Sequence, residues 1–579
     1  MIHNRFKKCF KKMVVLLCTV ATLFTSDMAV QAKDASTAIR IGIDVSRYQG
    51  NINWGSVAAS GVSYTFVRVG SVKYGIDSKF DQNMRAANAA GVQTGVYIYS
   101  YAQNVQEAAT EAMFVISALA NYTVSMPVVI DIEDSTQEHL SPQALADIAN
   151  TFCAIVESAG YYPMVYANKY WFTKKIGMVA YDKWVAQYNS YCAIEDAAFW
   201  QASDSGAIAG ITGAVDIDYQ YKDLSASIVA NGFVYRKGFF YFYENYKMKV
   251  NSLVTYNGGV YYVDQLGRRV SGFLALGGSM YYFDQNGLML TGWQTLGGNT
   301  YYFGTDGKMS VGLTKIGDLT FMFDGNGCLY RGWLTADSLY YFYEDGHMAT
   351  GLSPIGTALY YFNQNGQIQL GWQNIGGADY FFDLTTAQMM TGWVNTGTGV
   401  YYFDPVTGIK QTGWLLLGND VYYLGTDGKC VSGIHEIGGV NYYFGPDGKR
   451  QTGFATDGIN MYYFDPATAA QVKGWVAIDG SLYLMDPVTG AMTVGTVTIG
   501  ANEYYFDATG KMQTGFVAIG NAVYFYNPAD GTKMRGLITD GVYNYYMDPT
   551  DGHLVVNTTL TFGESIWVAD EFGHITVVQ

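Results

Sequence analysis

The chain has 579 residues, too many for one domain of ordinary size, and its formal net charge is −15. Only 14% of its residues are charged whereas 16% are aromatic, so the composition favours a folded protein over a disordered one. A chain this acidic lacks the basic face that contacts with nucleic-acid phosphates need. The sequence also has no basic amphipathic segment of the kind that binds a membrane surface. Nucleic acid and membrane are therefore excluded as expected partners.

Residues 1–32 have the pattern of a secretory signal peptide. Basic residues within 7–12 precede an apolar stretch at 13–24, which is too short to span a bilayer, and small residues precede a cleavage position before Lys33. We therefore expect a secreted protein with no membrane span after cleavage. The later cysteines and the six histidines show no ligand or pairing spacing, so no metal, cofactor or disulfide framework is predicted.

Residues 33–223 are predicted to form a (β/α) barrel. Eight strand-like runs recur, at 41–46, 64–70, 94–101, 128–133, 163–167, 183–188, 199–202 and 215–221. Helical patterns at 81–90, 105–122 and 141–159 lie between the early strands, whereas the later connections are too short or too rich in glycine for full helices. The prediction is an irregular TIM-like α/β barrel with missing helices, which explains a length below the usual ~250 residues.

The stretch 128–134, Val-Val-Ile-Asp-Ile-Glu-Asp, places three carboxyl groups at the end of a buried strand. Alternate strand residues face the same way, so Asp131 and Glu133 are predicted to share one face. Two acids this close repel each other when both ionise, so one of them is expected to have a raised pKa, as general acid catalysis at neutral pH requires. A solvated strand end or a metal site would explain the same short stretch.

In barrels of this kind the functional residues lie at the carboxyl ends of the strands. Those ends carry four acids with aromatic and polar side chains around them: Asp44, Asp131, Glu133, Asp216, Arg68, Tyr97, Tyr99, Tyr166, Trp184, Tyr188, Trp200 and Gln201. Aromatic faces stack on sugar rings and hydroxyls bond to acids, so this rim suits a carbohydrate. The alternative is that the aromatics are core and the acids cap helices, although caps would not favour strand ends.

An ordered set of motifs across 33–223 resembles glycoside hydrolase family 25, the secreted lysozymes that cut bacterial peptidoglycan. The motifs are Asp44-Val-Ser-Arg-Tyr-Gln-Gly50 with Ile52-Asn-Trp54, Asp77-x-x-Phe80-x-x-Asn83, Gly95-Val-Tyr97, Asp131-Ile-Glu133, Trp184-x-Ala-x-Tyr188, Trp200-Gln201 and Gly213-x-Val-Asp216. The resemblance implies an N-acetylmuramidase that cleaves the β-1,4 bond between N-acetylmuramic acid and N-acetylglucosamine.

The resemblance also implies a role for each acid. It makes Glu133 the general acid and Asp131 the residue that steers the substrate acetamide or a water. Glycosidases generally need two such carboxyl roles. Asp44 and Asp216 would hold this network. Asp218 departs from the family, which commonly has Asn there, and we expect Asp216, at the motif position, to face the substrate.

Residues 231–579 contain a repeat with a spacing of 19 to 21 residues. A Gly followed by an aromatic or aliphatic residue recurs from Gly272 to Gly536, and a typical unit at 292–307 has the order strand, Gly-Gly turn, strand, Asp-Gly turn. One hairpin cannot bury its aromatic residues alone but stacked hairpins can, so the array is predicted to be an all-β solenoid.

The repeats resemble the cell-wall-binding repeats of secreted bacterial hydrolases, glucan-binding proteins and clostridial toxins, through their Gly-Trp and Tyr-Tyr-Phe signatures. The choline-binding branch also has a Trp just before Tyr-Tyr-Phe, which walls an aromatic cage for the cation. Here that position holds other residues, which argues against choline: Met280, Thr300, Thr320, Leu339, Leu359, Asp379 and Val400. The candidate ligand-stacking residues are the Gly-Trp tryptophans: Trp293, Trp333, Trp372, Trp393, Trp414 and Trp475. Solenoid core is the alternative role for these rings.

The sequence as a whole predicts a secreted, wall-associated peptidoglycan hydrolase whose repeats bind a wall polymer or glucan. The alternative is a non-catalytic surface protein that binds the wall or a glucan. The four acids Asp44, Asp131, Glu133 and Asp216 are all present, which favours the enzyme because loss of catalysis should remove acids early.

Overall fold

The structure is a computed structural model that describes residues 33–578. The predicted signal peptide at 1–32 lies outside the described residues. The chain divides into two compact units, one of residues 33–314 with 323–329 and one of residues 315–322 with 330–578. Among the residues of these two units, no helix has the length and apolar character needed to cross a membrane.

Eight strands close into a barrel in the first unit. In chain order they are β1 (Arg40–Val45), β2 (Tyr64–Ser71), β3 (Gln93–Tyr99), β4 (Val128–Asp131), β5 (Pro163–Asn168), β6 (Asp182–Ala186), β7 (Ala197–Gly206) and β8 (Val215–Gln220). Neighbours from β1 to β7 pair in parallel, whereas β8 runs antiparallel to both β7 and β1 and so closes the barrel. The predicted irregular barrel is confirmed, with one reversed strand that the sequence pattern did not indicate.

Four helices accompany the early strands, and the helices predicted at 81–90, 105–122 and 141–159 are all present. The helices are α1 (Trp54–Ala59), α2 (Phe80–Ala89), α3 (Val105–Leu119) and α4 (Pro142–Ser158). The start of α4 follows from its sequence, because the Ser141 hydroxyl accepts from the Ala144 amide and Pro142 occupies the first turn. The six-residue α1 is too short for a periodic pattern. Short helical turns lie at Ala35–Thr37, Arg47–Gln49, Ser135–Gln137 and Trp171–Lys175.

Aromatic side chains fill the barrel interior beneath the rim. The Phe66 and Trp184 rings stack with their centroids 4.4 Å apart, and Phe199 packs edge-on against Phe66. Alternate residues of β2 point inward, so Tyr64, Phe66 and Arg68 rise along one face from the floor to the rim. The intervening valines of β2 pack outward with the helices. The interior is thus a packed floor that supports side chains at one end of the barrel.

The rest of the chain consists of antiparallel hairpins, which confirms the predicted all-β repeats. A first sheet joins Asn231–Arg236, Phe239–Glu244 and Lys247–Met248. The paired strands that follow are Ser252–Tyr256 with Gly259–Val263, Gly272–Leu276 with Ser279–Phe283, Gly292–Leu296 with Asn299–Phe303, Gly312–Ile316 with Leu319–Phe323, Gly332–Thr335 with Leu339–Phe342, Gly351–Ile355 with Ala358–Phe362, Gly371–Ile375 with Ala378–Phe382, Gly392–Asn395 with Val400–Phe403, Gly413–Leu417 with Asp420–Leu424, Gly433–Ile437 with Val440–Phe444 and Arg450–Gln451, Gly453–Thr456 with Met461–Phe464, Gly474–Ile478 with Ser481–Met485, Gly495–Ile499 with Asn502–Phe506, Gly515–Ile519 with Ala522–Tyr526, Gly536–Thr539 with Asn544–Met547, and Thr558–Phe562 with Ser565–Ala569 and Ile575–Val577.

The third residue of each Tyr-Tyr-Phe segment forms the core of the array. Phe283, Phe303, Phe342 and Phe362 all have no exposed surface. A short segment after each hairpin then adds backbone hydrogen bonds to the preceding repeat, as when the Met309 amide donates to the Met280 carbonyl at 2.8 Å. Stacking of this kind buries aromatic surface that a single hairpin leaves in water.

Within the first unit, the first hairpin packs against the end of the barrel opposite the rim. Arg236 and Lys237 both form ion pairs with Glu157 at the end of α4, at 3.7 and 2.5 Å. The Tyr243 hydroxyl donates to the Gly160 carbonyl at 2.8 Å and is buried. The barrel is therefore covered by residues that belong to the repeat sequence.

Candidate active site

One pocket of about 230 Å³ gathers the predicted rim residues. Its lining consists of Asp44, Arg68, Tyr97, Tyr99, Asp131, Glu133, Tyr166, Trp184, Tyr188, Gln201 and Asp216. All four predicted acids and all but one of the predicted substrate-binding residues thus lie around one small space. Two larger cavities of the first unit lie elsewhere, near Glu157 and near Arg40, and contain none of these acids.

Trp200 is the exception, and the structure corrects its predicted position. Its ring lies 5.5 Å from the Tyr219 ring in a separate cluster, and its indole N–H donates to the Gln187 carbonyl at 2.7 Å. The cause is strand alternation: Gln201 points into the barrel, so its neighbour Trp200 points out. A direct contact between Trp200 and a ligand in the pocket is therefore ruled out.

Asp216 reaches the pocket because its strand is reversed. The sequence argument placed it at the carboxyl end of a parallel strand, but it lies near the start of the antiparallel β8, directly opposite Asp44 on β1. A hydrogen bond joins the two carboxyl groups. The reversal brings the amino end of β8 to the same rim as the carboxyl ends of the other strands.

Asp44 is more deeply buried than its partner Asp216. Burial, followed by the negative charges of Asp218 and Asp216, raises its pKa well above the usual range. The Gln201 amide donates to Asp44 Oδ2 at 2.6 Å, while Gln201 Oε1 accepts from the hydroxyls of Tyr166 and Tyr188. Gln201 therefore holds Asp44 and two pocket tyrosines in one hydrogen-bond network.

Asp131 ends β4 with a buried carboxyl group. Its Oδ1 atom has no hydrogen-bond partner among the described residues, so it is available to a ligand. Burial raises its pKa well above the usual range, the charge of Glu133 raises it further, and the cation of Arg68 opposes both effects. A carboxyl group in this state holds its proton at a pH where an exposed aspartate has lost it.

Glu133 lies just past the end of β4 and remains partly open to the pocket. Burial raises its pKa, and a hydrogen bond from the Asn168 amide to Oε2 at 3.2 Å partly offsets that rise. The predicted direction of the shift is confirmed, but burial rather than the crowding of acids is its cause.

Asn168 is a pocket-side residue that the sequence argument missed. It ends β5, its amide donates to Glu133, and its Oδ1 accepts from the Trp171 backbone amide at 3.1 Å. Its place at the carboxyl end of a barrel strand was the signal that could have identified it.

Asp218, two residues after Asp216, lies below the pocket rather than in its lining. It is fully buried, and its Oδ1 accepts from the Trp184 indole N–H at 2.8 Å. Burial raises its pKa well above the usual range. Asp218 therefore lies in the floor of the site, and Asp216 lines the pocket, at the position expected to face the substrate.

Among the described residues, the acids of this pocket do not form a group of three side chains whose ligand atoms converge as a metal site needs. In the described part of the chain, one group of three acidic or histidine side chains has converging ligand atoms, at Asp548, Asp551 and His553. That group is largely solvent-exposed and lies in the last repeats.

The six predicted tryptophans of the repeats lie on the surface rather than in the core. They are 38–46% exposed, and each packs on an aromatic ring of its own hairpin, of the next one, or of both. Trp393, for example, lies 5.1 Å from Tyr402 and 4.8 Å from Tyr422. The core alternative is therefore wrong for these rings, since the buried phenylalanines fill that role.

Two of these tryptophans carry a cation from the same chain. Lys410 Nζ lies 5.5 Å from the Trp372 ring and 2.7 Å from Asp379 Oδ2. The Arg450 guanidinium lies 5.6 Å from the Trp414 ring. Cation–π contacts of this geometry are attractive, so both rings already have an intramolecular partner.

Comparisons with known proteins match both halves of the chain. Residues 43–211 match the glycosyl hydrolases family 25. Residues 370–409 and 493–537 match a choline-binding repeat, and residues 271–289, 291–309 and 412–430 match a cell wall binding repeat.

Individual relatives are similar to part of the chain. The uncharacterized protein YegX of Escherichia coli K12 is 28% identical in an alignment 248 residues long that covers 36% of this chain and 90% of that protein. Lysozyme M1 of Streptomyces globisporus is 28% identical in an alignment 193 residues long that covers 30% of this chain and 65% of that protein. Among solved structures, the autolysin LytC of Streptococcus pneumoniae, in complex with a synthetic peptidoglycan ligand, aligns with a TM-score of 0.30 at 25% identity, over 31% of this chain and 46% of that one.

Proposed function

Because this chain joins a glycosyl hydrolase family 25 domain to choline-binding and cell wall binding repeats, we propose that it is a secreted lysozyme that its repeats hold at the bacterial wall. It would cleave the β-1,4 bond between N-acetylmuramic acid and N-acetylglucosamine in peptidoglycan. The observation that carries the proposal is the gathering of Asp44, Asp131, Glu133 and Asp216 in one aromatic pocket. The lysozyme names among the relatives of the barrel support the same reaction.

Glu133 is assigned the role of general acid. It is partly open to the pocket, and its raised pKa keeps the proton available at higher pH than on an exposed glutamate. A protonated carboxyl group can give its proton to the glycosidic oxygen as the bond breaks. Asn168 holds the Oε2 oxygen through its amide, so the other carboxyl oxygen can face the substrate.

Asp131 is assigned the second carboxyl role. Its unpartnered Oδ1 is suited to accept a hydrogen bond from the substrate acetamide or from a water. Asp44 and Asp216 support this arrangement through their shared hydrogen bond and through Gln201. The Tyr97, Tyr166 and Trp184 side chains line the same space and offer aromatic faces to sugar rings.

The repeats are assigned wall binding through their tryptophans. A catalytic domain at 33–223 and a binding array at 231–579 fit the matched family segments, and cell-wall association agrees with the repeat families. The half-exposed rings offer stacking surfaces to a wall polymer or glucan, and many weak sites along one chain add through avidity.

Muropeptide analysis tests the assignment. Purified peptidoglycan digested with the full chain should release fragments that end in a reducing N-acetylmuramic acid. Fragments that end in reducing N-acetylglucosamine would indicate cleavage of the other glycosidic bond. Release of no fragments by a folded protein that sediments with walls would favour the non-catalytic binding protein.

A further inference from the structure

We infer that a groove beside the active-site pocket binds the carboxylate-bearing peptide stems on N-acetylmuramic acid and so orients the glycan; this rests on the proposed function. The groove is lined by Arg47, Tyr48, Arg68, Gly70, Ser71, Tyr74, Gly75, Ile76, Asp77 and Tyr101 and has a volume of about 450 Å³. Arg68 belongs to the lining of both the groove and the pocket, so the two spaces are adjacent.

Three basic residues along the groove lie over aromatic faces. The Arg47 guanidinium is 5.1 Å from the Tyr48 ring, and the Arg68 guanidinium is 5.4 Å from the Tyr99 ring. Lys73 Nζ is 4.6 Å from the Tyr101 ring and 5.1 Å from the Tyr74 ring. Contacts with ring faces hold the positive charges in place. Arg47 uses one N–H on the Tyr48 hydroxyl at 3.3 Å, and its guanidinium has further N–H groups for a ligand.

These cations have no carboxylate of their own within ion-pair distance. Between residues 33 and 578, none of Arg47, Arg68 and Lys73 forms a salt bridge, although the chain has a net charge of −15. The Arg68 Nε atom is buried without a hydrogen-bond partner. A guanidinium N–H without a partner next to a pocket favours a ligand oxygen that can accept its hydrogen bond.

Two acids beside the groove are already engaged. Asp77 accepts from the backbone amides of Arg47 and Lys79, one on each carboxyl oxygen. Asp134 accepts from the Tyr99 hydroxyl and from the Thr136 amide. Both carboxylates are held by local donors, so the basic groups of the groove remain free for a carboxylate of the ligand.

A tight hairpin shapes one wall of the groove. The short strand Gly75–Ile76 pairs with the end of β2, and a side chain at Gly70 would lie 2.1 Å from the Gly75 carbonyl oxygen. Tyr74, at the tip, is 70% exposed, and Tyr48 across the groove is 72% exposed. Most of the surface of both rings lies in water, although Tyr74 meets the Tyr101 ring edge-on at 5.7 Å and Tyr48 lies beside the Arg47 guanidinium.

The chemistry of peptidoglycan fits this charge distribution. Its glycan is neutral except where peptide stems, which carry free carboxylates, are attached to N-acetylmuramic acid. The guanidinium and ammonium groups of the groove attract the carboxylates of such stems, whereas the pocket lining has Arg68 as its one basic side chain. The stem beside the scissile bond would therefore lie toward Arg47 and Lys73, which fixes the direction of the glycan across the pocket.

The test compares two substrates made from one preparation. One is glycan strands with intact peptide stems; the other is the same strands stripped of stems by an amidase, with the lactyl carboxylates that this hydrolysis frees on N-acetylmuramic acid then converted to neutral amides. The full chain carrying Arg47→Gln and Lys73→Gln should lose about tenfold in kcat/KM on stem-bearing strands, equivalent to ~1.4 kcal/mol. Its rate on stripped strands should equal that of the unaltered chain. Lys174→Gln with Lys175→Gln, on the helical turn Trp171–Lys175, removes two charges from another part of the barrel and is the matched control.

The inference is overturned if the double variant loses the same factor on both substrates, or on neither. Added salt should reduce the advantage of stem-bearing strands for the unaltered chain, because screening weakens exposed charge pairs. Failure of the proposed function would look different: the unaltered chain would release no fragments ending in N-acetylmuramic acid from either substrate.

Discussion

Asp44 and Asp216 lie directly opposite each other on the antiparallel pair β1–β8, and a hydrogen bond joins their carboxyl groups. Two buried carboxyl groups in contact cannot both ionise without strong repulsion, so the pair retains a proton. Burial raises the pKa of both groups; their hydrogen bond adds to the rise at Asp44 and opposes it at Asp216. The reversed strand thus brings to the rim a second carboxyl group that shares a proton with Asp44.

The first prediction concerns the general acid. Glu133→Gln keeps the shape of the side chain but removes the proton, so turnover on peptidoglycan should fall by roughly 10²–10⁴, the usual share of general acid–base catalysis. Substrate binding should persist, because the amide can still form hydrogen bonds. Glu138→Gln, on the exposed loop that follows, is the control and should retain full activity. Near-normal turnover of Glu133→Gln would remove Glu133 from this role.

The second prediction concerns Asn168 and the pH profile. Its hydrogen bond favours the charged form of Glu133, so Asn168→Ala should raise the pKa of Glu133 further. The alkaline limb of kcat/KM should then move to higher pH. Asn150→Ala is the matched control, because Asn150 likewise accepts from a backbone amide, but its own amide donates to the Met178 backbone carbonyl, away from the pocket. An alkaline limb that stays in place, or that moves to lower pH, would contradict the pairing of Asn168 with Glu133.

These two side chains show where sequence reasoning succeeded and where it stopped. The strand run before Asp131 and the rule that barrel sites lie at strand ends correctly brought Glu133 to the pocket. Asn168 obeys the same rule, and its place at the end of β5 was the available signal, but an uncharged side chain did not stand out as the acids did. Trp200 was misplaced because adjacent residues of a strand face opposite sides, and the sequence did not fix which of Trp200 and Gln201 pointed inward.

The direction of β8 could not be read from the sequence either. A strand of six residues has the same apolar pattern in both directions. The loop before β8, residues 207–214, is too short for a crossover helix and so favours an antiparallel return, but the similarly short loop 187–196 precedes the parallel β7, so loop length did not settle the direction. The repeats were easier, because every unit carries its own Gly-Gly or Asp-Gly turn signal. Their inter-repeat contacts, such as the one between Lys410 and Trp372, depend on side chains distant in sequence.

The third prediction concerns Asp218 and stability. Its raised pKa means that the folded chain keeps a proton which the unfolded chain loses, so stability falls as pH rises from the ordinary aspartate range through the raised value. Asp218→Asn is always neutral and can still accept from the Trp184 indole. We expect its Tm to exceed that of the unaltered barrel by a few degrees at pH 7 and to match it at pH 3, since ~1 kcal/mol shifts Tm by ~2–4 °C in a domain of this size. An equal difference at both pH values would contradict the titration argument.

The fourth prediction concerns the end of the catalytic domain. A fragment of residues 33–223 contains every proposed catalytic group but lacks Arg236, Lys237 and Tyr243, which contact the barrel. It should cleave soluble glycan strands, sediment poorly with walls, and melt a few degrees below a fragment of residues 33–250. Calorimetry of the two fragments and the rate on soluble strands test this. Equal melting temperatures would show that the hairpin adds nothing, and a folded but inert 33–223 fragment would contradict the two-module assignment.

The last prediction concerns the ligand preference of the repeats. The Lys410 ammonium group, paired with Asp379, lies over the Trp372 ring, in the place that a quaternary ammonium ligand would need. The matching positions of another repeat are Leu482 and Met512, joined by the same backbone hydrogen bond as Asp379 and Lys410. Asp379→Leu with Lys410→Met therefore copies a pair that the array already contains.

We expect choline to change the tryptophan fluorescence of this double variant. Adding Trp372→Phe should abolish that change, and in the unaltered chain Trp372 should contribute no choline-dependent change. Lys449→Met is the control, because Lys449 forms a similar 2.7 Å ion pair with Asp420 but makes no cation–π contact within the described residues. A choline response of Trp372 in the unaltered chain would show that Lys410 does not occupy the ring. The absence of any gain in the variant would show that the cation is not what excludes the ligand.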